Sequence, residues 1–110
     1  MRLQRQDIED LVNEIAREFQ PEQVVLFGSH AYGTPTEDSD VDLLVVLPFA
    51  GRGSAKTLEI VHRLNPRIPV DIVVRTPEDL HRRLAWNDFF LREITEKGEV
   101  LYEQMLATQF

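Results

Sequence analysis

Asp40, Asp42, Asp71 and the Gly28-Ser29 pair are the residues of this 110-residue chain whose types and spacing could do chemistry. Side chains alternate along an extended segment, so Asp40 and Asp42 project to the same side, about 7 Å apart along the chain. Two carboxylates held that way repel each other unless one is protonated or a cation lies between them, and an all-oxygen ligand set suits Mg²⁺ or Mn²⁺. Asp71 interrupts the apolar run Pro69-Val70-Asp71-Ile72-Val73-Val74, where an unpaired carboxylate is costly. If the segments around Asp42 and Asp71 are neighbouring strands, three carboxylates meet. Upstream, Gly28-Ser29 leads into His30-Ala31-Tyr32-Gly33, a stretch expected to form one helical turn capped by Ser29 and closed by Gly33. The free N–H groups of such a turn, with the serine hydroxyl, make an anion site. A phosphate cradle followed about a dozen residues later by a metal site is the combination that phosphoryl or nucleotidyl transfer requires. Two metals roughly 4 Å apart polarise an α-phosphate and steady the leaving pyrophosphate, while backbone donors hold the β and γ groups.

These residues need a scaffold, and the hydrophobic pattern supplies one. Ile8, Leu11, Val12, Ile15 and Phe19 recur at helical spacing between residues 7 and 19, with Pro21 beyond the end. Residues 24–27 and 41–47 are short apolar runs that read as buried strands, the first stopped by Gly28 and the second apolar on both faces apart from Asp42. Residues 48–54 form a Gly-containing loop whose Ser54 is expected to cap a helix over 55–64, with Leu58, Val61 and Leu64 as its apolar stripe. A third strand over 70–74 carries Asp71. Thr76-Pro77-Glu78-Asp79 is a helix start, giving a short helix to about Leu84. Asn87 or Asp88 can cap a last helix to Lys97, and 100–102 read as an edge strand. Trp86, Phe89, Phe90, Leu91 and Ile94 are expected in the core, with a partner interface as the alternative for the aromatics. The order predicts an α/β (α+β) fold, a small mixed β-sheet packed with helices, in one domain covering 1–110.

Composition narrows the function. Cysteine is absent, which excludes disulfides, thiolate metal sites and a cysteine nucleophile. A formal net charge of −7 argues against a long nucleic-acid substrate, whose binding draws on Lys and Arg. No apolar run approaches the roughly 20 residues of a membrane span. Residues 1–6 lack the apolar core of a secretory signal, so the expected location is cytoplasmic. Glu37, Asp38, Asp40 and Asp42 fall within six residues; Glu37 and Asp38 read as solvated surface, while the agreement with Gly28-Ser29 and Asp71 marks Asp40 and Asp42 as functional. His30 reads as a loop residue, and His62 and His81 as helix surface.

The segment Val25-Leu-Phe-Gly28-Ser29-His-Ala-Tyr-Gly33-Thr-Pro-Thr-Glu-Asp-Ser39-Asp40-Val-Asp42-Leu-Leu-Val45 resembles the signature of polymerase β-type nucleotidyltransferases. Chain length, the Gly-Ser-x-Ala-x-Gly form and the ending Gly98-Glu-Val-Leu-Tyr-Glu103 look like the minimal nucleotidyltransferases, antitoxins that accompany HEPN-domain toxins. The resemblance implies a polymerase β-like fold, with Asp40, Asp42 and Asp71 as ligands of two Mg²⁺ ions. Asp71 would also assist deprotonation of the acceptor hydroxyl. Gly28 and Ser29 would hold the nucleotide phosphates. It implies ATP as donor, AMP transfer to a tyrosine of the HEPN partner, and a hetero-oligomer or homodimer that presents the acceptor. The alternatives are an antitoxin that acts by contact alone and a small-molecule nucleotidyltransferase. Many relatives carry arginine where Tyr32 stands; Arg52, Lys56 or Arg75 could supply that charge.

Other motifs that share this segment fail on their own chemistry. Gly28-x4-Gly33 has Walker A spacing, but Thr34-Pro35 replaces the Lys-Ser/Thr that would reach phosphate and Mg²⁺. Asp38-Ser-Asp40-Val-Asp42 starts like a calcium loop, yet Leu43 and Phe49 stand where its glycine and bidentate glutamate are required. A phosphatase-type Asp-x-Asp follows its apolar strand, whereas here the apolar run follows the acids.

Overall fold

The computed structural model describes residues 3–36 and 38–104. The chain opens with α1 (Arg5–Phe19), whose Ile8, Leu11, Val12 and Ile15 make the buried stripe expected of a 3.6-residue period. Gln4 and Asp7 form a reciprocal capping box at its start. There follow β1 (Gln23–Phe27), α2 (Ser29–Tyr32), β2 (Val41–Val46), α3 (Gly53–Leu64), β3 (Val70–Arg75), α4 (Pro77–Ala85), α5 (Phe89–Lys97) and β4 (Glu99–Glu103).

The four strands form one mixed sheet in the order β3-β2-β1-β4. β1 lies antiparallel to both β2 and β4, and β2 runs parallel to β3. A parallel pair needs a crossover, and α3 provides it. Alternation along the strands divides the core. Val24, Leu26, Val41, Leu43, Val45, Ile72 and Val74 pack against α1 and Ile60 of α3. Val25, Phe27, Leu44 and Val46 face Leu91 and Ile94 of α5, with Leu80 and Leu84 of α4 beside them. Asp42 and Asp71 share the alternation of this second face, at its open end.

The mixed sheet covered by helices follows the pattern of apolar runs, and three local expectations shift. α3 begins at Gly53, with Arg52 at the N-cap and no side-chain cap, so Ser54 lies inside the helix. Its phase is set by fully buried Ile60; Leu58, two residues away and therefore about 200° around the helix, faces solvent, while Val61 and Leu64 are half-buried. Leu91 and Ile94 fill the core as expected, but Trp86, Phe89 and Phe90 are exposed. One side of a nine-residue helix has room to meet the sheet, and Leu91 and Ile94, three apart, take it. Asp88 caps this helix by accepting from the Leu91 amide, and Thr76 caps α4 by accepting from Asp79. Among the described residues, no helix is long and apolar enough to cross a membrane.

Two outcomes test this packing. Ile15→Ala, at a fully buried position, should lower unfolding free energy by about 2–5 kcal/mol in denaturant titration, whereas Leu58→Ala should change it by less than about 0.5 kcal/mol. Arg5 ties the start of α1 to the start of β4 by donating to Glu99 at 3.1 Å, and this partner holds the Glu99 carboxyl below its usual range. The stability from that pair is present above the unfolded-state pKa of Glu99 and is lost as pH falls through the lowered folded-state value. Arg5→Ala should therefore flatten a small acid-side slope in the melting temperature, and the effect should shrink in high salt because both side chains are half exposed.

Candidate active site

The site forms where β1 ends and β2 begins. In the antiparallel register Phe27 lies opposite Asp42, so the next residue, Gly28, arrives beside the Asp42 side chain. Gly28 adopts φ +76° and ψ −159°, a conformation open essentially to glycine alone. A Cβ at this position would overlap the Asp42 carboxylate and lie 3.0 Å from its Cγ. The backbone at Gly28 thus borders the carboxylate at a distance that no side chain allows.

From Gly28 the chain enters α2 directly. The amides of Ala31 and Tyr32 donate to the Gly28 carbonyl at 3.0 and 3.1 Å, and Gly33 donates to Ser29 at 3.1 Å. The helical turn expected from the sequence is present, but Gly28 stands at its N-cap in place of Ser29, and no side chain caps it. The Ser29 hydroxyl is therefore uncommitted to capping, and the Ser29 and His30 amides lie outside the turn's own ladder. Gly33 is required by close approach, since a Cβ there would sit 2.9 Å from Ser29 Cα.

His30, read from the sequence as a loop residue, lies within this turn and is half-buried. Its Nε2 lies 3.1 Å from the carbonyl oxygen of Ser39, directly before Asp40. The ring thereby ties the α2 turn to the segment that carries the acids. Thr36 and Ser39 brace that segment: the Thr36 amide donates to Ser39 Oγ at 2.9 Å and the Ser39 amide to the Thr36 carbonyl at 3.1 Å. No sequence pattern marks His30 for this role, because its partner is a backbone carbonyl nine residues away.

The parallel register of β2 and β3 sets Asp71 directly beside Asp42, on strands about 4.8 Å apart. Asp42 is half-buried, whereas Asp40 and Asp71 are exposed. Burial raises the Asp42 carboxyl above its ordinary range; the negative charges of Asp71 and Asp40 raise it further, and His30 opposes them. Asp71 and Asp40 thus both bear on Asp42, the third aspartate named from the sequence. Asp38 is exposed as expected, while Glu37 lies outside the described residues. His62 and His81 are exposed on their helices.

The basic residues considered as phosphate contacts lie elsewhere. Arg75 closes β3, four residues beyond Asp71 and so about 13 Å along the strand; Lys56 pairs with Glu59 over the Phe19 ring. Arg52 precedes α3, after β2 has crossed the sheet. Tyr32 is exposed on α2.

The donor set suits a hard divalent cation: three carboxylates whose mutual repulsion it would relieve, beside a cradle that a Cβ would fill. Among the described residues, no three acidic or imidazole groups enclose an ion by themselves.

Comparison with known proteins gives the family and the fold. A nucleotidyltransferase domain model matches residues 8–101. A Methanocaldococcus jannaschii protein named "Putative protein adenylyltransferase" is 29% identical over 101 residues, covering 86% of this chain and 94% of its own. Among solved structures, a "putative nucleotidyltransferase" from Sulfolobus solfataricus superposes with a TM-score of 0.64 at 23% identity, over 90% of this chain and 79% of that one. A mutant MntA-HpeT toxin–antitoxin structure superposes at 0.58, and a toxin–antitoxin structure with AMP-PNP at 0.54, both at 20% identity over 88% of this chain and 74% of theirs. At these identities the structural likenesses concern the fold, which is shared along most of each chain. The family model encloses the cradle and all three aspartates, and the chain belongs to the nucleotidyltransferase domain family, as a transferase.

Proposed function

We propose that this chain, acting as one domain over residues 1–110, is a metal-dependent adenylyltransferase that moves AMP from ATP to a tyrosine hydroxyl of a HEPN-domain toxin, and is the antitoxin of that pair. The observation that carries the reading is the position of Asp42, with the Gly28 backbone against it on one side and Asp71 beside it on the other. The Methanocaldococcus relative's name supports a protein acceptor, and the toxin–antitoxin neighbours support a toxin as that protein.

In this reading Gly28 and the opening amides of α2, with the Ser29 hydroxyl, hold the β and γ phosphates. Asp40, Asp42 and Asp71 hold two Mg²⁺ ions, for which Mn²⁺ is an acceptable substitute. When bound, these ions polarise the α-phosphate and offset the charge that develops on pyrophosphate. The acceptor oxygen forms a bond to the α-phosphorus while the bond to the bridging oxygen of the β-phosphate breaks. Pyrophosphate leaves, and Asp71, the exposed member of the strand pair, takes the hydroxyl proton. His30 positions the acids through the Ser39 carbonyl and touches no reacting atom.

Incubation with α-labelled ATP, Mg²⁺ and the HEPN-domain protein should label the latter on tyrosine, and EDTA should abolish labelling. Asp40→Asn and Asp42→Asn should each reduce the rate about 100-fold or more and fail to neutralise the toxin. Neutralisation that survives both substitutions would mean that the chain acts by contact alone, and absence of any labelled acceptor would sink the proposed activity. Gly28→Ala places a methyl against Asp42 in a glycine-only conformation costing about 1–3 kcal/mol. Calorimetry should show its ATP affinity at least about tenfold weaker, with circular dichroism unchanged.

A further inference from the structure

The aromatic residues that leave the core gather at one place. Trp86, Phe89 and Phe90, which flank the elbow between α4 and α5, are 70%, 85% and 48% exposed. The elbow is built and held: Asn87 takes a left-handed conformation with φ 60°, the Asp88 amide donates to the Arg83 carbonyl at 3.0 Å, and Arg92 donates to Asn87 at 2.6 Å. Arg82 lies over the Trp86 ring. These rings are therefore displayed on a fixed turn.

Topology sets the elbow beside the active site. β3 carries the chain away from Asp71 to Arg75, and α4 starts near Val46 and Gln23, at the far end of the sheet. The chain then returns, because Phe90 at the start of α5 meets Phe27 edge-on, ring centres 5.7 Å apart. Phe27 is the residue opposite Asp42 and directly before Gly28. Phe90 thus packs on the residue that precedes Gly28, and the start of α5 lies on the sheet face shared by Asp42 and Asp71.

We propose that this aromatic elbow is the docking surface for the acceptor protein, an apolar patch on that protein seating against Trp86 and Phe89 so that its hydroxyl reaches Asp42 and Asp71. The inference rests on the transfer reaction above and names what guides its acceptor. Size decides against the nucleotide as occupant. One base covers one ring face, whereas three aromatics within five residues stand exposed here, more than a single base can cover. Trp and Phe are also enriched as anchors at protein interfaces.

Trp86 is the sole tryptophan, so its fluorescence reports on the elbow directly. Titrating the HEPN-domain protein should shift its emission to the blue, and titrating ATP with Mg²⁺ should leave it unmoved. The Phe89→Ser and Trp86→Ser/Phe89→Ser variants spare Phe90 and its packing; they should keep the wild-type melting temperature and calorimetric ATP affinity. Both should bind the partner at least tenfold more weakly and label it correspondingly less, with the loss in KM rather than in kcat for the single variant. Undiminished binding and labelling by the double variant overturns the docking surface alone, as does a selective loss of ATP affinity, which would make the elbow a base platform. A wild-type chain that neither binds nor labels the HEPN-domain protein overturns the partner reading and the docking surface together. Binding without labelling, still lost in the double variant, upholds the surface and overturns the transfer.

Discussion

The close approach of the Gly28 backbone to the Asp42 carboxylate is the constraint on which the rest of the molecule depends. It arises from one register, Phe27 opposite Asp42, and from one residue type, a glycine in a conformation that other residues resist. Slipping that register by one residue would turn Asp42 to the other face of the sheet and expose the alternating core of both strands. The same pairing that buries Val25, Leu26, Leu43 and Leu44 therefore fixes the distance between the cradle and the acids. The core and the geometry of the candidate site are a single specification.

The parallel pairing of β2 with β3 adds a local conflict. It sets two carboxylates side by side, with a third just upstream, and the central one is pushed toward its neutral form by burial and by its neighbours. A fold selected for stability alone would avoid that arrangement. It is tolerable because Asp40 and Asp71 stay exposed and because all three lie at the sheet's end, where solvent screens them. Departures of this kind from local consistency concentrate at functional sites.

The helices divide the remaining work. α1 and α3 fill one face of the sheet with aliphatic side chains. α4 and α5 cover the other face more thinly, through Leu80, Leu84, Leu91 and Ile94, which leaves the rings around their elbow in solvent. Two caps, Thr76 and Asp88, hold short helices that would be marginal alone. The elbow is thereby held by caps and hydrogen bonds, although little of it is buried.

Much of this was written into the sequence. The period of α1, the apolar runs of β1 to β3, the Thr76-Pro77 helix start and the Gly28-Ser29 and Asp-x-Asp spacing follow from side-chain type and local order, which operate over a few residues. The family, too, is legible in the segment from Val25 to Val45. Only the tertiary structure decided that β2 and β3 are parallel neighbours, which turned Asp71 from a costly residue in an apolar run into the companion of Asp42. It also set Gly28 rather than Ser29 at the N-cap, gave His30 a partner at Ser39, and put Ile60 rather than Leu58 against the core. The aromatic residues around the α4–α5 elbow show the reason most plainly. Hydrophobicity says that a side chain gains by burial, but whether it is buried depends on how much sheet lies beneath a nine-residue helix, a quantity that no local pattern encodes.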